Sequence, residues 1–514
     1  MQNVTVDIAI FGGSLGGVLA AYSAAKSGKK TALFSETEWI GGQLTSQAVP
    51  PDEHKWIEET GCTATYRAYR NRVREYYRKH PFIIDELKTK AFFCPGGSSV
   101  SRLSHPPRQA LQYLTEMLEP FEKSGLLTVY YGYALESAPV SGTEIRKLAL
   151  KKGGERMEVT AKYYLDATDE GDLIEKSGCE YVTGAESREM TGEPSAIDRY
   201  MPEDRQPVTW SMAFENRLTG DYVIEKPAEY ERFKKLMTPY DKYPVFSMYG
   251  PDSSTGKAKL FGMYNGETDG NGNKLFGLYT YRRIVNAGHF KDGAVPFDVT
   301  MLNWPQNDYF MGNTFDCEHP EDNREEARQF TLSFFYWLQT EAPNGDKKGY
   351  PFFAPCGEAV GTKDGTTQTY FVRESRRIKA LFTVTENHVG LGGNPRFYDS
   401  VGVGSYSIDL HITTKTHSFF YKPSERFTIP LGAMIPVRLT NLLPSCKNIG
   451  TTHLTGGCYR LHPVEWNVGE VAGLLAAYSL DNRISPREIR ENETELRKFQ
   501  EHLRTNGIQL YWDE

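Results

Sequence analysis

The run Gly12-Gly13-Ser14-Leu15-Gly16-Gly17 has the composition of a turn that could hold a pyrophosphate. Small residues let a backbone turn come close to a phosphate. A helix opening from such a turn adds free N–H groups and the positive end of its dipole. Read as G-x-G-x-x-G, the run carries Ser14 in place of the middle glycine. Serine is small enough for a phosphate to approach, and its hydroxyl could donate a hydrogen bond. Glu36 follows at about the spacing where an acidic side chain meets a ribose hydroxyl. A tight turn with no ligand would use the same glycines, so the flanking elements must decide.

Those elements fit the dinucleotide reading. Thr5–Phe11 alternates as a strand does, and the turn opens a helix in which Ala20, Ala21, Ala24 and Ala25 form a small-residue face that could lie close on a sheet. Gly28 stops the helix, and Thr31–Phe34 starts a second strand ending at Ser35-Glu36. Directly after it, Ile40-Gly41-Gly42-Gln43-Leu44-Thr45-Ser46-Gln47 pairs two glycines, which let the backbone pass a flat ligand, with side chains that can hydrogen-bond to it.

With these motifs the chain resembles the FAD-dependent oxidoreductases of the glutathione-reductase-like flavoprotein superfamily, and within it the large bacterial FAD-dependent oxidoreductase group. That group carries G-x-[TS]-x-x-G, which Ser14 matches, while Ser35 stands where the usual strand-end Glu would be. Gln47–His54, Tyr164–Asp172 with its Asp166-Ala167-Thr168 element, Asn303-Trp304-Pro305, Arg373–Arg377, Gly404–His411 and Gly450–Tyr478 extend the resemblance over nearly the whole chain. It implies an α/β fold: a Rossmann-like three-layer FAD-binding domain with an inserted, largely β substrate domain. The expected segments are 1–184 and 427–514 for the FAD-binding domain and 185–426 for the substrate domain. Implied cofactor contacts are Gly12, Gly13, Ser14, Leu15, Gly16, Gly17, Ser35, Glu36, Gly41, Gly42, Gln43, Leu44, Ala167, Thr168, Arg460, Glu465, Asn467 and Val468. A second small-residue helix over Asn467–Ala477 would aim its N-terminus at the flavin and stabilise the negative charge of the reduced ring. FAD is expected to bind non-covalently, without a link through His105.

Oxidation of a C–H bond by a flavin also needs a base for the proton. His411, His453 and His462 lie in segments that the family places at the domain junction, and Asp409, two residues before His411 on a strand, would share its face and orient it. Arg373, Arg376 and Arg377 could clamp a carboxylate or form a salt-bridge network with Glu374. The expected catalytic set is His411, Asp409, Arg373 and His453, with His453 the rival base and no metal. The resemblance implies an FAD-dependent dehydrogenase or oxidase taking hydride from a small polar substrate, sugar-like or a hydroxy or amino compound. An NAD(P)H-fed reductase or hydroxylase would need a second nucleotide site, which no later strand–glycine turn–helix supplies. A non-catalytic flavin-binding module is the third reading.

Bulk properties set the frame. A chain of 514 residues exceeds one hydrophobic core. A net charge of −7 argues against nucleic acid or an anionic membrane as main partner. No apolar run approaches the ~18 residues of a spanning helix, and strand residues begin almost at Met1 with no leader-like segment, so a cytoplasmic protein is expected. The 7 cysteines form no C-x-x-C pair, which removes a redox dithiol or zinc reading; Cys458, inside the flavin segment, is the one to watch. Tyr66–His80 reads as a helix with Tyr66, Tyr69, Val73, Tyr76 and Tyr77 packed and Arg67, Arg70, Arg74 and Arg78 on solvated faces. Asp269–Asn273 reads as a hairpin turn, Lys274–Tyr281 as an alternating run, and Pro486–Leu503 as one amphipathic helix. The partners expected are a small-molecule substrate and an electron acceptor, the latter and the oligomeric state being left open.

Overall fold

A computed structural model describes residues 2–239, 241–252 and 254–513. Its centre is a five-stranded parallel sheet of β1 (Ile8–Phe11), β2 (Thr31–Ser35), β3 (Leu127–Tyr131), β4 (Tyr163–Asp166) and β5 (Leu442–Pro444), in the order β5-β4-β1-β2-β3. The chain thus returns to its N-terminal sheet from far downstream: Leu442 pairs with Tyr164, and Tyr163 with Ile8. These strands are apolar on both faces because both are covered. Ile8, Ile10, Leu33, Leu165 and Leu443 face a helical layer. Ala9, Phe11, Ala32, Phe34, Tyr164 and Leu442 pack on a four-stranded sheet whose strands include Leu148–Lys152 and Glu155–Thr160. Three layers result.

Four helices bear on the site: α1 (Leu15–Lys26), α2 (Ala64–Lys79), α3 (Pro320–Thr340) and α4 (His462–Asn482). The small-residue face of α1 lies against α4 and not only on the sheet. A Cβ added to Gly469 would stand 2.3 Å from the Gly16 carbonyl oxygen, and one on Gly473 2.3 Å from that of Ala20. Ser23 Oγ donates to the Glu470 carbonyl at 2.9 Å. Two backbones this close tolerate no side chain between them, which explains the glycines better than sheet packing does. Helix α4 begins earlier than the small-residue run, with Pro463 in its first turn.

The intervening segment is built on the antiparallel order Arg283–Val285, Val299–Leu302, Met212–Asn216, Phe353–Pro355. Phe330, Phe334 and Phe335 of α3 join Phe214, Trp304 and Phe353 in its aromatic core. The turn at Asp269 forms, its carboxylate accepting from the Asn271 and Asn273 N–H groups. Lys274–Tyr281 forms no continuous strand: it makes isolated bridges and a short 3-10 turn.

Two further expectations are corrected. Arg70 and Arg74 do not face solvent: both are buried on the tyrosine side of α2, Arg70 paired with Glu53 and Arg74 with Glu58 at 2.6 Å, while Tyr76 is 48% exposed. The C-terminal segment is two helices, Pro486–Glu491 and Glu493–Thr505, because Asn492 caps the second with its side chain. Among the described residues no helix is long and apolar enough to cross a membrane.

Candidate active site

The glycine turn joins β1 to α1, and its glycines are tightly packed. A Cβ on Gly12, whose φ is +116°, would lie 2.1 Å from the Ala167 carbonyl carbon; one on Gly13, 2.3 Å from Ser35 Oγ. Ser14 caps α1 by accepting from Gly17 N–H at 3.2 Å, and its hydroxyl is within hydrogen-bond reach of the Cys446 thiol. The N–H groups of Gly13, Ser14 and Leu15 find no acceptor among the described residues. Gly12, Gly13, Ser14, Ser35, Glu36, Gly42, Ala167 and Thr168 line one cavity of about 690 Å³, as do Gln47, Asp169, Trp210 and Tyr370. Buried Gln47 Oε1 has no partner. Free amide donors at a helix start, a cavity of this size and an acidic residue, Glu36, just past the end of β2 fit a bound dinucleotide such as FAD.

Other expected contacts stand behind this cavity. Gly41 N–H donates to the Gly13 carbonyl at 2.7 Å, tying the two glycine turns together, and Leu15 and Leu44 are buried beside them. Glu465 at the start of α4 accepts from Gly16 N–H at 3.0 Å and from Gln43 Nε2 at 2.5 Å. It therefore occupies one donor of the α1 N-terminus itself. Lys447 neutralises it from 3.6 Å and pairs with Asp169 at 2.5 Å. Burial works against the Lys447 charge, but Asp169 and Glu465 hold its pKa above the ordinary value. Asn467 donates to the Val401 carbonyl, and Val468 is a buried core residue.

A second polar centre lies beyond the start of α4. Asp409 is on the strand Ile408–Leu410, with His411 just past its end. Their side chains approach at 4.0 Å, but the closer partner of His411 is Asp308, whose Oδ2 lies 2.5 Å from Nδ1. Asp308 also binds Arg373 at 2.9 Å. Burial opposes its charge, yet Arg373 and His411 hold the carboxyl below the usual range. The turn that presents Asp308 is locked by Asn307, which accepts from Trp304 N–H and donates to the Leu302 and Trp210 carbonyls. Asp52, following the Gly42 turn, pairs with both terminal nitrogens of Arg282 at 3.1 and 3.2 Å. Arg460 reaches Asp409 at 3.3 Å, and its carbonyl accepts from Gln43. Arg282, Asp52, Asp409 and His411 each keep 11–23% of the side chain accessible, so these groups border a narrow crevice next to the cofactor turn and the α4 N-terminus.

The three clustered arginines point in different directions. Arg373 joins Asp308; Arg376 pairs with Asp316 and Asp172; Arg377 pairs with Glu186 and Glu374. His453 Nδ1 lies 2.9 Å from Glu374 in that last network. Burial disfavours the imidazolium, but Glu374 outweighs it and raises the His453 pKa; in return His453 and Arg377 hold Glu374 at about 2 despite its burial. The signs give a stability window. The histidine contribution is full below its ordinary value and is lost as pH rises through the raised one; the glutamate contribution is lost as pH falls toward about 2. His453→Gln is therefore expected to flatten the decline of the thermal midpoint above about pH 6.5. A variant with the wild-type slope in a melting series would remove this pair as the cause.

His462 is fully engaged, Nδ1 accepting from Asp52 N–H at 3.0 Å and Nε2 bound to the Val49 carbonyl at 3.1 Å; burial pushes it down to about 4. His105 uses both ring nitrogens, on Leu103 and Tyr69, outside the cofactor cavity. Cys458 is buried with its thiol donating to the Thr455 carbonyl; Cys446, at 3.3 Å from Glu465, is the cysteine nearest the cofactor turns. Asp308, Arg282, Lys447 and the role of Asp52 were not legible in the sequence, although Asp52 lies within Gln47–His54 and Asp308 stands three residues past Asn303-Trp304-Pro305.

The family model described as FAD dependent oxidoreductase matches residues 7–503. Among solved structures, a geranylgeranyl bacteriochlorophyll reductase-like protein from Thermoplasma acidophilum is 10% identical, covering 99% of this chain and 85% of that one, with a TM-score of 0.35. A mutant of quinol fumarate reductase FrdA from E. coli is 10% identical over 98% of this chain and 74% of that one, TM-score 0.34. The L-proline dehydrogenase of P. horikoshii is 14% identical over 36% of this chain, TM-score 0.20, and the match spans only 24% of its length. No curated protein sequence matches the chain.

Proposed function

The chain belongs to the FAD dependent oxidoreductase family, with FAD as its cofactor, and on that premise we propose that it oxidises a small polar substrate in the crevice between the start of α4 and the strand Ile408–Leu410. Bound FAD supplies a two-electron acceptor, taking hydride at N5. The observation that carries this reading is the pair of His411 and Asp308. With Nδ1–H donated to the Asp308 carboxylate at 2.5 Å, the lone pair resides on Nε2, the nitrogen free to accept a proton. His411 is also 23% exposed, so a substrate hydroxyl or amine can reach it.

His453 is the poorer base. Its side chain is 8% exposed against 23% for His411, so it is less accessible to a substrate, and the buried Glu374 carboxylate raises its pKa. Arg373 acts through Asp308 and does not clamp a substrate: its side chain is 3% exposed, and its terminal nitrogens are bound to Asp308, Thr209 and the Pro207 carbonyl. The FAD is held non-covalently by the amides of Gly13–Leu15, and the enzyme works in the cytoplasm without nucleic acid or membrane partners.

The test is anaerobic titration of the yellow holoenzyme with small alcohols, polyols, hydroxy acids and amines. At least one compound is expected to bleach the flavin with one equivalent of carbonyl or imine product, and acid precipitation is expected to release the flavin into the supernatant. Flavin left in the acid pellet contradicts non-covalent binding, and a holoenzyme bleached by none of these classes contradicts the substrate reading.

A further inference from the structure

The crevice around His411 is charged throughout, yet it is balanced pair by pair. Asp52 faces Arg282, Asp409 faces Arg460 and Asp308 faces Arg373, at 3.1, 3.3 and 2.9 Å. Each acid has its own base, and none of these six ions is left over. Two pairs also join different parts of the chain. Asp52 and Arg460 flank the cofactor turn and the start of α4, whereas Arg282 and Asp409 come from the intervening segment.

The Asp308–Arg373 pair is buried, but the other two are not sealed. Asp52 keeps 18% of its side chain accessible and Asp409 13%, next to the 23% of His411. Tyr406 adds a hydroxyl that donates to Asp409 at 3.1 Å. The surface offered to a ligand is therefore dense in donors and acceptors but has no uncompensated charge. A carboxylate or phosphate entering it would meet no free cation and would have to break an existing pair. An ammonium would meet no free anion. Carboxylate–guanidinium pairs do suit hydroxyl groups, since each hydroxyl can donate to the carboxylate and accept from the guanidinium at once.

We propose that this crevice takes an uncharged, polyhydroxylated substrate, a sugar or polyol, whose non-reacting hydroxyls are bound by the Asp52–Arg282 and Asp409–Arg460 pairs. The inference rests on the reading of His411 as base and narrows its substrate. The step balances: the reacting carbinol gives its O–H proton to His411 Nε2 and its C–H hydride to oxidised FAD. The C–O bond becomes a carbonyl, and the substrate loses two electrons.

The experiment uses the holoenzyme under anaerobic conditions with matched sets of probes. Glucose, galactose, mannose and myo-inositol are the neutral members, the three uronates the acidic ones, and the three 2-amino sugars the cationic ones. Flavin bleaching rate and the rise in thermal midpoint are read for each. A neutral member is expected to bleach fastest, with its charged analogues on the order of 100-fold slower, as an uncompensated charge in a closed site requires. Asp52→Asn, which leaves Arg282 unpaired, is expected to shift the preference toward the uronates. Preference for a uronate or amino sugar in the wild type overturns the inference, as does absence of both bleaching and thermal shift with every neutral probe. The base assignment fails separately, if His411→Ala is bleached by the active compound at the wild-type rate.

Discussion

Gly17→Val is expected to yield a colourless protein. A Cβ at Gly17 would stand 2.2 Å from the Gly12 carbonyl oxygen and 2.9 Å from the Ala167 methyl, so valine forces the turn open at its hinge. Overpacking of this kind costs about 1–3 kcal/mol or more. It is concentrated on the segment that aims the Gly13, Ser14 and Leu15 amides. Flavin content per chain should therefore fall by far more than the melting temperature implies. Ser14→Gly should keep its flavin: it removes a cap worth only a few tenths of a kcal/mol against glycine and restores the commoner turn. Full FAD occupancy in Gly17→Val, measured by flavin absorbance after denaturation, would mean that this turn does not hold the pyrophosphate.

That turn was legible because its evidence is local. Glycine spacing, the alternation of Thr5–Phe11 and the strand ending at Ser35 all lie within one short stretch of chain. What was not legible depends on meetings between distant segments. Nothing near Gly16 announces that Gly469 lies against its carbonyl, and the small-residue face of α1 reads equally well as sheet packing. Asp308 sits in an irregular turn without periodicity, so its place between His411 and Arg373 is visible only once the strand Ile408–Leu410 has been folded beside it. Arg70 and Arg74 are a different case. Helical spacing puts both near Tyr66, Tyr69 and Val73, so their burial was implied by the period; their partners Glu53 and Glu58 lie in a loop that no period reaches.

His411→Ala should keep FAD, since the side chain touches Asp308 and Asp409 and none of the turn. It removes the acceptor for the substrate proton and leaves Asp308 paired with Arg373 and hydrogen-bonded by Thr209. Loss of a positioned base slows the chemical step by about 10²–10⁴-fold. His453→Ala should instead cost stability, because it strips one partner from the buried Glu374, while flavin reduction changes little. Both variants carry the same cofactor, so the comparison is free of occupancy effects.

The most direct measurement is single-turnover flavin reduction by the bleaching substrate, followed anaerobically in the two variants side by side. A fall of about 10²–10⁴-fold is expected in His411→Ala, and a rate within about threefold of the wild type in His453→Ala. A wild-type rate in His411→Ala together with a collapsed rate in His453→Ala would contradict the His411 assignment and move the base to the Glu374 network.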